Sequence, residues 1–162
     1  MAERSVARLF LMRGWKRRDK MIVIGIDPGE NTGVAVWNTG KRCFEDIHTS
    51  TLIKAVDFVR DAWCVHHPNL KVIFEDARQR KWFKKEQNES EYRGKLMGAG
   101  AAKRDAKIWE EFLQDYGIPY EAHKPQAHGT KWSAETFANV TGYKGRTNEH
   151  NRDAALLVYG IR

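Results

Sequence analysis

Three carboxylates and an imidazole, at Asp27, Glu75, His150 and Asp153, are the side chains in this sequence whose types and placement point to chemistry. Asp27 closes the apolar run 21–26 at an Asp-Pro-Gly turn, and Glu75 closes a second run, 70–74. An acid at the end of a buried strand stands where the chain leaves the core and meets solvent. Asp-Pro-Gly alone is an ordinary turn signal, so one such acid means little and two mean more. His150 and Asp153 are i, i+3 neighbours that extend the stripe Ala154, Leu157, Val158 and Ile161 of the last helical segment. A carboxylate on such a stripe costs several kcal/mol, on the order of a charge's desolvation, unless it is paired or metal-bound. The bland alternatives are a favourable helix dipole for Asp153 and a satisfied, half-buried ring for His150. Taken together, an oxygen-rich set with few ligands suits a hard divalent cation, Mg²⁺ with Mn²⁺ as a substitute. A pair of such ions about 4 Å apart activates a water and stabilises the leaving oxygen of a phosphodiester. Asp27 is expected to bridge two ions and Glu75 and Asp153 to hold one each. His150 is expected to complete a shell or to act as general base.

Elements must bring these four residues together. Residues 21–26 are a short β-branched apolar run, as in a buried central strand. Strands over 33–37 and 42–47 follow, joined by the turn Asn38-Thr39-Gly40, so the first three strands read as an antiparallel meander. A helix starts from a Ser50 or Thr51 cap, with Leu52, Val56, Val59 and Trp63 at helical spacing, and breaks at His67-Pro68-Asn69. Residues 70–74 form a fourth buried strand. Residues 78–90 are polar and basic without a period and read as a loop. A long helix over 91–116 carries Ile108 and Phe112, with Trp109, Leu113 and Tyr116 on the adjacent row. Gly117 is its expected C′ residue, ahead of Pro119. A fifth strand over 118–122, a loop over 123–129, a helix over 130–139 and a last helix capped near Asn148 complete the chain. The order βββαβαβαα predicts an α/β protein: a mixed five-stranded sheet with helices on its faces.

Length and charge bound the partners. The 162 residues suit one domain with a real core. Mean hydropathy is −0.66 and no apolar run approaches the length of a membrane span. Cys43 and Cys64 form no Cys-x-x-Cys and indicate no disulfide framework, so a reducing cytoplasm is expected. His123 and His128 lack the second ligand pair of a structural zinc site. The net charge of +7 is uneven. Residues 1–20 hold seven basic and two acidic side chains and read as a basic extension before a single domain over 21–162. A second cluster, Arg78, Arg80, Lys81, Lys84 and Lys85 around Trp82 and Phe83, is the better sign of a nucleic-acid partner.

These residues resemble the RuvC family of Holliday-junction resolvases, within the RNase H-like nucleases. "IVIGIDPGENTGVAVW" resembles that family's first motif, with Asp27 as its acid, and "VIFEDAR" the second, with Glu75. "EHNRDAALLVYG" resembles the third, where His150 and Asp153 match the paired position and the final aspartate, and "GKLMGAGAA" resembles the opening of the family's long central helix. The likeness is patchy but ordered from Met21 to Gly160. It implies an RNase H-like fold and a homodimer that makes paired, Mg²⁺-dependent nicks across a four-way DNA junction, leaving 5′-phosphate and 3′-hydroxyl ends. It also implies a lysine near the fifth strand, for which Lys131 is the best match and Lys124 the second. The family's aromatic wedge, three positions after the second acid, is replaced here by Arg78. Trp82 and Phe83 are expected to take its place by base stacking, worth ~1–3 kcal/mol per base. That departure, and a rearranged stretch before the third motif, fit a phage-type relative with a looser choice of branched DNA. The alternatives are an RNase H-like nuclease acting on RNA–DNA hybrids, flaps or forks, and a DNA-binding module without catalysis. An actin-like ATPase is excluded by the lack of a second lobe and a second glycine-rich phosphate motif.

Overall fold

The computed structural model of the chain describes residues 21–80, 88–125 and 131–162. The basic extension 1–20, the cluster residues Lys81, Trp82, Phe83, Lys84 and Lys85, and His128 lie outside the described residues.

Five strands, β1 (Ile22–Asp27), β2 (Thr32–Asn38), β3 (Cys43–Ser50), β4 (Leu70–Glu75) and β5 (Tyr120–His123), form one sheet in the order β3-β2-β1-β4-β5. β1 and β2 pair antiparallel, as do β2 and β3, with a register shift between Val36 and Trp37; β4 joins β1 in parallel and β5 joins β4 in parallel. The expected meander and mixed sheet are therefore present. Parallel pairing needs a crossover, and helices α1 (Leu52–His66) and α2 (Glu89–Asp115) supply the two crossovers on one face. Helices α3 (Ala134–Thr141) and α4 (Glu149–Val158) cover the other.

The period-two alternation of the strands divides the core between these faces. Ile22, Ile24, Ile26, Val34, Val72 and Phe74 meet Val59, Ala106, Trp109 and Leu113 on one side. Val23, Ala35, Trp37 and Ile73 meet Phe137, Ala154 and Val158 on the other. Two expected stripes are shifted. On α1 the fully buried row is Ala55, Val59, Ala62 and His66, not one through Leu52 and Trp63. On α2 it is Asp105, Ala106, Trp109 and Leu113, whereas Ile108 and Tyr116 are exposed. Small residues in each buried row, Ala55 and Ala62 on α1 and Ala106 on α2, face the sheet, while Val56, Trp63 and Phe112 on the adjacent rows pack partly buried at the margin of the same core.

Boundaries also differ. The expected loop over 78–90 opens with a 3-10 turn, Ala77–Gln79, capped by Asp76. Ile118 is buried ahead of β5, which runs two residues later than expected, and the Val72 amide donates to the Pro119 carbonyl there. α3 starts at Ala134, where the Ser133 hydroxyl accepts from the Thr136 amide. Among the described residues no helix is long and apolar enough to cross a membrane.

The seat of α4 matters most for function. β1 carries Gly25 and β2 carries Gly33 on the face where the helix lies. A Cβ at Gly25 would run into the Ala154 carbonyl, and one at Gly33 into the His150 carbonyl and the Asn151 amide. Bare backbone at both points is what allows α4 to rest directly on the sheet. Its start is fixed by a reciprocal cap: the Asn148 side chain accepts from the Asn151 amide at 3.1 Å, and Asn151 Oδ1 accepts from the Asn148 amide at 2.9 Å. Thr49 at the end of β3 hydrogen-bonds the Asn148 side chain across the same edge.

Candidate active site

Parallel neighbours end on the same side of a sheet. Ile26 of β1 pairs with Phe74 of β4, so Asp27 and Glu75 finish adjacent strands side by side. Both acids belong to the α4 face, since Gly25 two residues before Asp27 meets α4 and Ile73 two residues before Glu75 packs in the same core as Ala154. The first turn of α4 comes down over this corner. His150 Nδ1 stands 3.2 Å from Asp27 Oδ2, and Asp153 follows one turn later.

The electrostatics show how close the groups are. Burial is the main influence on Asp27 and pushes its carboxyl up to about 6; the His150 hydrogen bond and charge oppose this and the Asp153 charge reinforces it. Glu75 is pushed up to about 7, first by burial and then by the charges of Asp27 and Asp153, with Arg80 and Lys131 working against them. Two desolvated carboxylates, with Glu75 raised further by the charges of Asp27 and Asp153, concentrate negative potential at this corner. With Asp153 and the imidazole they form a donor set that fits a hard divalent ion. Among the described residues, however, no three His, Cys, Asp or Glu side chains are grouped closely enough to hold an ion as they stand. The expected ligands are gathered at one corner without being closed into a cage.

Lys131 explains part of this. Its ammonium contacts Glu149 Oε1 and lies 3.5 Å from Asp153 Oδ2. Lys131, singled out through the resemblance, is thus at the corner, and so is Glu149, which was not. The available signal was the i, i+4 spacing of Glu149 and Asp153; an acid in a first helical turn has an ordinary explanation in the dipole. Lys124 follows β5 directly and is exposed. His123 pairs in register with Glu75, and its ring is 3.3 Å from Glu121.

Arg78, expected at a DNA surface, has partners within the protein as well. Its Nε and Nη2 donate to the two oxygens of the buried Asp76 at 2.8 and 3.0 Å, and Nη1 donates to Glu110 on α2 at 2.7 Å. It ties the end of β4 to the long helix. Arg80 is left as the described cation of that cluster that acts on Glu75.

No family model matches the chain, and no curated protein matches it. Among solved structures, T. thermophilus RuvC, determined in complex with a Holliday junction substrate, superposes with a TM-score of 0.51 at 18% identity, over 85% of this chain and 90% of that one. At that identity the likeness concerns architecture, and together with the strand order above it establishes an RNase H-like mixed five-stranded sheet, antiparallel through its first three strands and flanked by helices, as the fold of this chain.

Proposed function

We propose that the chain is a metal-dependent, structure-selective DNA endonuclease that acts on branched DNA, with the four-way junction as its preferred substrate. The observation that carries this reading is the meeting of Asp27 and Glu75 at adjacent parallel strand ends beneath the His150–Asp153 turn of α4. The solved structure of like fold is bound to a Holliday junction, which supports the choice of substrate.

Asp27, Glu75, His150 and Asp153 are the residues that would hold the divalent ions, two in the full reading and Mg²⁺ in the first instance. Such ions supply Lewis-acid stabilisation of the phosphodiester and lower the pKa of an attacking water. Asp27, the least exposed of the ion-paired three, would be the innermost of these ligands. His150 faces Asp27 through Nδ1 and is half exposed, so Nε2 would be free to accept a proton as general base. Lys131 and Arg80, whose charges act on the acids, contact the DNA backbone in this reading, and Lys124 and the basic residues Lys81, Lys84 and Lys85 add to that contact. Trp82 and Phe83 stack on bases opened at the branch. Paired nicks across one junction need two such sites, hence a homodimer acting in the cytoplasm of a bacterium or a phage-infected cell.

Purified protein given a synthetic four-way junction, the matching duplex and an RNA–DNA hybrid tests this. Nicking of the junction at least tenfold faster than of the duplex is expected with Mg²⁺ and none with EDTA. Asp27→Asn should bind the junction and not cut it. Equal cleavage of the hybrid makes the chain a hybrid nuclease instead, and full activity of Asp27→Asn removes the metal assignment.

A further inference from the structure

Lys131 and Glu149 stand in an arrangement that the resemblance does not account for. We propose that Glu149 is a positioning residue for Lys131 and that the pair is a displaceable latch: without a divalent cation the Lys131 ammonium stands against Asp153, and when a cation takes Asp153, Glu149 retains the ammonium at the mouth of the site. This rests on the metal-dependent reading above.

The geometry of α4 leads to it. Glu149 and Asp153 are four residues apart and therefore lie one above the other on the same helix face. The Lys131 ammonium lies between them, touching Glu149 and 3.5 Å from Asp153 Oδ2. Its backbone has a separate anchor. Arg152 Nε donates to the Trp132 carbonyl at 3.0 Å while Nη1 donates to Thr147 Oγ1 at 3.2 Å, and Trp132 packs on the α4-side core. The lysine stem can thus swing while its root stays fixed to the helix that carries the acids.

Charge and exposure make the contact reversible. The Lys131 and Glu149 side chains are 57% and 54% exposed, so their attraction is screened by water and weak. Asp153 is less exposed, at 30%, and belongs to the same field as Asp27 and Glu75, since its charge raises both of their pKa values. An ammonium beside Asp153 offsets negative potential that a divalent ion would otherwise feel. A cation arriving there carries twice the charge and repels the ammonium. Glu149, one turn back, is the anion that keeps the lysine from leaving, in reach of a phosphodiester bound over the site. A dipole role alone would account for an acid at this helix start, but not for its contact with a lysine shared with Asp153.

The test is Mn²⁺ binding to the full-length chain without DNA, by calorimetry, for wild type, Lys131→Met, Lys131→Arg and Glu149→Gln, with Lys144→Met as a control on an exposed cation elsewhere. Lys131→Met is expected to bind Mn²⁺ roughly three- to tenfold more tightly, from loss of one like charge about 5 Å away, and Lys131→Arg to stay near wild type. Glu149→Gln should bind more weakly, because the lysine then rests on Asp153 alone. On a four-way junction Glu149→Gln should lower kcat with little change in KM. Equal Mn²⁺ affinity in Lys131→Met, Lys144→Met and wild type overturns the latch and leaves the nuclease reading standing. Absence of Mn²⁺ binding to wild type at millimolar concentration overturns both.

Discussion

Asp27 shows what burial at a strand end does to a carboxylate. Its pKa of about 6, against an ordinary 3.8, means that the folded state holds the proton more tightly than the unfolded chain. The resulting contribution to stability is fully present below pH 3.8 and is lost as pH rises through 6. At pH 8 in EDTA the charged Asp27 therefore costs about 2–3 kcal/mol relative to its neutral form. Asp27→Asn cannot ionise, so it should raise the stability of the metal-free protein at pH 8 by about 1–2 kcal/mol and do little at pH 4, where the wild-type carboxyl is already protonated. Thermal melts of both proteins at the two pH values in EDTA measure this; a melting point at pH 8 that falls on substitution would show that Asp27 is satisfied by the protein alone. The acids at 27 and 75 were legible in the sequence because each interrupts an apolar run where a buried strand must end. Glu149 was not, because its partner Lys131 is eighteen residues away and only the fold brings them together.

Elements place these residues, and α4 is the one on which the site depends. Its descent onto β1 and β2 is possible because Gly25 and Gly33 present bare backbone to it. In the sequence those glycines are weak points of two strands and carry no hint of a helix above them. The strands themselves could be read because β-branched runs have few other uses. The buried row of α2 could not, since Ile108 and Phe112 look as suitable as Trp109 and Leu113 until the sheet and α1 choose between them. Arg78 was hidden in the same way: a basic run looks solvated until the buried Asp76 and Glu110 are placed around it. Gly33→Ala drives a Cβ into the His150 backbone, which cannot rotate away as a side chain would. It should destabilise the protein by about 3 kcal/mol and weaken Mn²⁺ binding at least tenfold as His150 and Asp153 lift. Gly29→Ala, where an added Cβ meets nothing within 4 Å, is the control, expected to change neither. Denaturant melts and Mn²⁺ titration of the two variants decide whether contact with the sheet, and not the local sequence of α4, aims the ligands.

On the scale of the molecule, charge and fold are separable. Both cores are built from residues between Ile22 and Ile161, while most of the net charge lies ahead of them: of the net +7, residues 1–20 carry +5. The remainder of the chain is nearly balanced, and among the described residues Lys131 and Arg80 are cations that act on the acids. Affinity from phosphate neutralisation depends on how many cations displace counterions, with log K falling against log salt at a slope of about −0.9 per contact on duplex. A chain reduced to residues 21–162 should therefore fold with an unchanged melting point and bind junction and duplex more weakly by a similar factor, about tenfold or more at 50 mM salt, with a shallower salt slope. Under the proposed function its preference for the junction over the duplex should survive, because that reading assigns selectivity to the corner at β1, β4 and α4 and not to residues 1–20. Anisotropy titrations of both DNAs at several salt concentrations separate the two contributions. A truncated chain that loses its junction preference while keeping its duplex affinity would place branch recognition in the first twenty residues, and an unchanged salt slope would mean that those residues touch no phosphate.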